Sequence, residues 1–396
     1  MAEEKQHAVL SASGAHKWLK CPPSARLEEK FPNKESDYMA EGTLAHEIAE
    51  FKVRRYFFSQ SITKTAFTKG INKFKKRNLF NEEMLAHTDK YVEFIAEESM
   101  QTANKPTILV EQKVDFSKYV TEGFGTADCI LIYGDTLEII DFKYGKGVKV
   151  EAENNPQMKL YALGALSQFS MIYNIKNIKM AIVQPRLDHV AKYEIPVEPL
   201  LEWGEKVVKP QADKAFLGIG EFEQGEHCRF CRAKGACESR TKENLQKVEK
   251  TMEMIGTREI NGTLTNADLA DALIKMEGVD QWLKDLREHA LGLLLKGETV
   301  PGWKAVEGKS NRKITDVDKA FEIIENEGFD RAVLYEKKPI TLTALEKLVG
   351  KTKLNEVIGK YIEKPKGAPT LAKESDKREN YRTSAAEDFR EESEEN

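Results

Sequence analysis

The order of patterns between residues 107 and 197 constrains this chain most. Three β-branched, apolar runs, at 107–114, 124–133 and 137–143, are followed by a helical stretch and then by two further runs, at 177–184 and 189–197. Gly134-Asp135 separates the second run from the third as a hairpin turn, and Pro185-Arg186 separates the last two. Asn155-Pro156 opens the intervening helix, with asparagine as cap and proline at the first helical position, and apolar spacing carries it to about residue 168. Helices, three strands, a helix and two strands spell an α/β core with a central mixed sheet.

Upstream, helical periodicity marks a short element near 12–19, a longer one from 43 to about 58 and a third from 82 to about 100. The last two form a helical N-terminal lobe at about 42–102. Downstream the pattern is mainly helical, with 241–255 and 265–295, the second broken near Gly278. A small module then reads as a strand at 302–307 and helices at 317–327 and 342–361. From 373 the chain is polar and charged, and disorder is expected. The expected organisation is therefore 1–240, a helical segment at 241–300, a small module at 301–372 and an acidic tail at 373–396.

At 396 residues the chain is long enough for two or three domains with a real core. It has no apolar run of the roughly 18 residues that a membrane span needs. The N-terminus lacks a basic segment followed by an apolar one, so a cytoplasmic location is expected. In a reducing compartment five cysteines do not read as a disulfide framework.

Chemistry concentrates at two strand ends. Asp128 lies in a run whose faces are both apolar, with Ile130 and Ile132 expected on its own face. Asp141 and Lys143 leave the next run on one side of the sheet. A buried carboxylate needs a cation. An Asp–Lys ion pair would meet that need, and so would a divalent metal shared by both aspartates. Gly42-Thr43-Leu44-Ala45-His46 opens a helix with a further possible ligand, while Gln157 and Tyr161 stand at i and i+4 on the helix after the hairpin. Each signal is weak alone, and their joint order is far more specific.

That ordered set resembles the RecB-like branch of the PD-(D/E)XK nucleases, in which a helix-borne His, an Asp, a D/E-x-K pair and a Q-x-x-x-Y helix recur in this order. His46, Asp128, Asp141-Phe142-Lys143 and Gln157 to Tyr161 match, with Asp141 where Glu is common, and the resemblance covers residues 11–240. It implies a restriction-endonuclease-like core. It also implies a metal held by His46, Asp128, Asp141 and the main-chain carbonyl of Phe142, with Glu111 as a further candidate. Oxygen ligands suit Mg²⁺ or Mn²⁺, and the histidine tilts the site toward Mn²⁺. In such a site Lys143 orients the attacking water, Gln157 positions a phosphate from the first turn of its helix, and Tyr161 supports it.

Cys228, Cys231 and Cys237 form C-x2-C-x5-C, and Cys21 supplies a fourth thiolate from the N-terminus. Four thiolates suit a structural zinc or an iron–sulfur cluster, and spacing leaves both open. His227 is an alternative fourth ligand, and Cys129 reads as a buried small apolar residue. One cysteine before the nuclease motifs and three after them resembles AddB and the CRISPR adaptation nuclease, which implies a [4Fe–4S] cluster stapling the ends of the domain.

Residues 51–81 carry nine cations, among them Lys52, Arg54, Arg55, Lys73, Lys75, Lys76 and Arg77, and no acid. They interleave with aromatic residues, as in tracks that hold single-stranded nucleic acid, although aromatics at helical spacing also build cores. Lys309, Arg312 and Lys313 form a smaller basic turn. The tail holds five basic and nine acidic residues and so accounts for the whole net charge of −4. The module at about 301–365 resembles the C-terminal region of a phage family of RecB-like proteins, which implies a bacterial host cell and phage replication or recombination proteins as partners. The expected activity is a metal-dependent deoxyribonuclease, an exonuclease on single-stranded or end-exposed DNA. A catalytically weak DNA-binding accessory protein and an RNA nuclease are the alternatives.

Overall fold

The computed structural model of the chain describes residues 8–33, 37–101, 105–256, 264–306 and 316–326, with isolated positions beyond. Helices α1 (Ala15–Trp18), α2 (Ser24–Glu28), α3 (Asp37–Phe57), α4 (Lys64–Phe74) and α5 (Glu83–Met100) precede the sheet. Its strands are β1 (Thr107–Asp115), β2 (Phe124–Tyr133), β3 (Thr136–Phe142), β4 (Asn177–Gln184) and β5 (His189–Pro196), and α6 (Pro156–Phe169) connects β3 to β4. Then come α7 (Val197–Trp203), α8 (Lys209–Leu217), α9 (Glu238–Gly256), α10 (Asn266–Lys275), α11 (Val279–Leu295) and α12 (Val317–Asn326). The chain divides into two compact units, Met1–Val306 and Glu307–Asn396. The first contains the sheet, the cysteine segment and α9 to α11. Among the described residues no helix is long and apolar enough to cross a membrane.

The five strands lie in sequence order, antiparallel at every junction except β3–β4, which is parallel. Local chemistry dictates both kinds of junction. Tyr133 pairs directly with Thr136 across a two-residue turn in which Gly134 has φ +55°, so β2 and β3 must be antiparallel. A whole helix separates β3 from β4, which is what a parallel pair requires. The mixed α/β sheet expected from the pattern is therefore present.

Helices cover both faces of the sheet. Ile130, Ile132, Leu137 and Ile139 pack with α1 and α6, whereas Cys129, Leu131, Ile140 and Phe142 pack with α3 and α5. Each such side chain contributes about 1.5–3 kcal/mol by leaving water, so the strand ends are anchored from two sides.

Several elements depart from the sequence reading. α3 begins at Asp37, six residues earlier than expected, and the basic segment contains a helix of its own, α4, capped by the Thr63 hydroxyl. The strand expected at 302–307 does not form in its described part. Residues 301–306 are turn and irregular backbone, and Gly302 has φ +82°, which extended pairing excludes. The helix expected at 342–361, the acidic tail and the basic turn of Lys309, Arg312 and Lys313 lie outside the described residues or nearly so.

Candidate functional site

β2 and β3 part company at one pole of the sheet. Their ladder ends at Cys129 and Ile140, so the next residues, Asp128 and Asp141, have no backbone pairing between them. In place of a carbonyl, the carboxylate of Asp128 accepts the Phe142 N–H through Oδ2 at 2.8 Å. On the other side Val110 pairs with Cys129 and Gln112 with Ala127, while the intervening Glu111 is out of the ladder at φ +51°. A non-glycine residue held in the left-handed region inside a strand is strained, and such strain collects at functional sites.

This distortion corrects one expectation. Ala127 and Ile130 pack on the same side of the sheet and Cys129 on the other. The two-residue alternation therefore slips at Asp128, which does not simply share the face of Ile130. Its carboxylate reaches His46 on α3, with Nδ1 3.5 Å from Oδ2. His46, Glu111 and Asp128 offer ligand atoms that all lie within 4.8 Å of one another, so three residues spaced 65 and 17 positions apart meet at one point.

Beside them runs a second chain of contacts. Lys143 Nζ lies 2.9 Å from Asp141 Oδ2 and donates to Gln157 Oε1 at 3.1 Å. Gln157 Nε2 donates to Asp141 Oδ1 and to the Tyr161 hydroxyl, each at 3.2 Å. Asn155 caps α6 by accepting the N–H groups of Gln157 and Met158, which fixes the turn carrying Gln157. The cap also occupies those N–H groups, so they are not the open phosphate cradle expected at this helix start. A residue that the sequence reading passed over completes the arrangement. A Cβ on Gly125 of β2 would come within 2.7 Å of the Tyr161 ring, so glycine there makes room for the tyrosine.

Electrostatics follow from this crowding. Burial opposes charging of His46, but the charge and hydrogen bond of Asp128, and then Asp141, outweigh it and raise its pKa above the ordinary value. Burial likewise resists ionisation of Asp128, yet His46, Lys143 and the Phe142 amide hold its carboxyl below the usual range. For Asp141 burial prevails over Lys143, and Asp128 adds repulsion, so its pKa is raised. Lys143 is raised by Asp141 and Asp128 in spite of its burial. Glu111 is pushed up to about 7, by burial first and then by the charges of Asp128 and Glu50.

These residues fit a hard divalent cation. Asp141 Oδ2 is buried, with the lysine ammonium nearby but no hydrogen-bond donor aligned on it. Three carboxylates and one imidazole converge on the fork, the donor set that Mg²⁺ or Mn²⁺ takes.

The four cysteines form a second constellation. Cys21 is buried, while Cys228, Cys231 and Cys237 are half-buried, and all four are free thiols lining one small cavity together with His227. Burial first, then Glu28, pushes the Cys231 thiol up to about 12, and burial raises Cys21 and Cys228 as well. His227 faces the Glu223 carbonyl with Nε2 at 3.0 Å, and its Nδ1 is buried without a partner. Burial by itself raises thiols in this way. Cys129 is fully buried in the sheet core, as its apolar reading required.

The basic segment looks different in three dimensions. Lys52 is buried, and its ammonium donates to the Leu85 carbonyl and to Asp89, each at 2.6 Å. Arg54 clasps Glu50 and the Val110 carbonyl, Lys75 pairs with Glu82, and Arg77 pairs with Glu47. Phe67 and Phe74 pack on Phe51 between α3 and α4. Arg55 is half-buried, and Lys73 and Lys76 are exposed. The acids that neutralise this run come from outside it in sequence.

Against known proteins, residues 7–379 match a family model described as protein of unknown function (DUF2800). A solved structure described as "Crystal structure of SSO0001" aligns over 61% of this chain and 90% of its own at 15% identity, with a TM-score of 0.27.

Proposed function

The chain belongs to the DUF2800 family, and we propose that it is a metal-dependent deoxyribonuclease of the RecB-like, PD-(D/E)XK type, working on single-stranded or end-exposed DNA. One observation carries this reading. At the fork between β2 and β3 the structure gathers His46, Glu111 and Asp128 beside the Asp141–Lys143–Gln157–Tyr161 chain.

His46, Glu111, Asp128 and Asp141 would hold the metal. A divalent ion bound there supplies Lewis acidity toward a phosphoryl oxygen and acidifies water. Lys143, kept as an ammonium by Asp141 and Asp128 and fixed by Gln157, would orient a nucleophilic water by donating to it from Nζ. Gln157 fixes Lys143 and Asp141 relative to each other, and Tyr161 fixes Gln157. Phe142, bonded through its N–H to Asp128, keeps the two strands at the separation the fork requires.

The cysteine cavity supports a structural iron–sulfur cluster tying the N-terminal helices to the segment after α8. Four thiolates suit a tetrahedral zinc as well as a cluster, and metal analysis of the purified protein separates the two.

The test is incubation of the purified chain with end-labelled single-stranded DNA, duplex DNA and RNA in Mg²⁺, Mn²⁺ and EDTA. Cleavage of DNA in the metal arms, lost in Asp128→Ala and Asp141→Ala, is expected. No cleavage in either metal, or wild-type turnover in either variant, would sink the reading, and cleavage of RNA alone would change the substrate.

A further inference from the structure

A cavity of about 1170 Å³ opens between the N-terminal helices, the C-x2-C loop and α11. It is separate from the β2–β3 fork, and its lining is unusual in two respects.

The first is Phe230. It stands between Cys228 and Cys231, yet it is 57% exposed, and its ring points into solvent-accessible space at the cavity wall. An exposed phenylalanine on a loop is ordinarily mobile. This one is held: Lys17 donates to its carbonyl at 3.4 Å, His16 meets the ring edge-on at 5.6 Å, and Arg229 lies over it with the guanidinium 5.7 Å from the centroid. The short helical turn 226–230 therefore presents a half-exposed ring that Lys17, His16 and Arg229 hold in place.

The second is the charge. Glu28 is matched by Lys17, and Asp285 by Lys234 and Arg240, so these acids are internally compensated. Lys30, Arg229, Arg232 and Lys296 remain on the walls against Glu288 and Glu298. A cationic track beside a rigid aromatic face is the arrangement that holds a nucleic-acid strand with its bases unstacked. A duplex cannot use it, because its bases are already stacked on one another.

We infer that this cavity binds single-stranded nucleic acid, with a base stacked on Phe230 and phosphates along Arg229, Arg232, Lys30 and Lys296. The inference rests on the nuclease reading for its direction. Met39 lines the cavity and lies seven residues before His46 on α3, so the wall of the cavity and the fork are about 10 Å apart along one helix. A strand leaving the cavity along α3 arrives at the fork. In the basic segment at 51–81 Tyr56 and Phe58 are also exposed, but Phe67 and Phe74 pack on Phe51, and Lys52, Arg54, Lys75 and Arg77 are already ion-paired.

The experiment is fluorescence anisotropy of a 5′-labelled 20-residue oligothymidylate titrated with the full chain in EDTA, with a blunt duplex of equal length as comparison. Phe230→Ala should weaken single-strand binding by at least about fivefold, the low end of one base-stacking contact, and leave duplex binding unchanged. Phe230→Trp should restore affinity, and its added emission should be quenched by the oligonucleotide. Unchanged single-strand affinity in Phe230→Ala overturns the inference and leaves the cavity to a protein partner, and so does an unquenched tryptophan in Phe230→Trp. Because no metal is present, a wild-type chain that fails to cleave DNA defeats the nuclease reading without altering this measurement.

Discussion

Replacing Lys143 by alanine removes the one cation paired with Asp141, and the consequence for stability can be worked from the geometry. The two groups lie 2.9 Å apart, with Asp141 nearly sealed and Lys143 about 29% exposed at its side chain. Removing one partner of a buried ion pair costs about 3–5 kcal/mol, and the partial exposure of the lysine favours the lower end. For a unit of the size of Met1–Val306, an unfolding entropy of about 2 cal/mol/K per residue turns about 3 kcal/mol into a Tm lowered by roughly 5 °C. Thermal unfolding followed by circular dichroism in EDTA measures this directly. Two further outcomes identify the cause. Lys143→Ala combined with Asp141→Asn should recover most of the loss, because no uncompensated charge is left. Mn²⁺ should stabilise Lys143→Ala more than wild type, since the ion replaces the missing positive charge, while cleavage stays absent. A Tm within about 1 °C of wild type in EDTA, or a variant whose double mutant is no more stable than the single, would refute the reasoning.

Glu138 gives a pH test far from the metal ligands. It is buried against Tyr133, and burial, then the charge of Glu98, pushes it up from 4.5 to about 7. The folded state thus holds this proton more tightly than the unfolded chain, so stability falls as pH rises from about 4.5 to about 7 and is level above. Glu138→Gln should accordingly stabilise the protein by about 3 kcal/mol at pH 8 and not at pH 4.5, as read by urea denaturation, and a gain equal at both pH values would exclude the mechanism. Protein purified aerobically should be straw to brown, with broad absorption near about 400 nm and iron by elemental analysis, and a colourless protein with one equivalent of zinc would replace the cluster by zinc on the same thiolates. Neutralising Lys73, Lys75, Lys76 and Arg77 together should shallow the dependence of log affinity on log salt by at most about 1.4, since Lys75 and Arg77 are already matched by Glu82 and Glu47. A change near 2.8 would mean that DNA displaces both ion pairs.

Neighbours along the chain carry the part of this fold that its sequence makes legible. Hairpin turn, helix cap and strand alternation depend on a few consecutive residues, and Gly134-Asp135, Asn155-Pro156 and the five apolar runs all took the places their patterns required. The proximity of Asp141 and Lys143 follows from the same two-residue period, and that of Gln157 and Tyr161 from the helical repeat.

Contacts between distant segments needed the fold. No periodicity places Glu111 at φ +51° or slips the alternation at Asp128, because both are local departures from regular strand geometry at facing positions of β1 and β2. The nine-cation run looked like an unopposed field because its partners Glu47, Glu82 and Asp89 lie before or after it, and Phe67 and Phe74 looked available because Phe51 covers them only once α4 folds back on α3. Cys21 and Cys228 share a cavity across more than two hundred residues for the same reason. The sequence by itself determined the strands, their caps and the residue types the site contains. The tertiary structure alone decided which charges are cancelled and which rings are covered, because cancellation and burial are properties of what is near in space, and the one-dimensional pattern records only what is near along the chain.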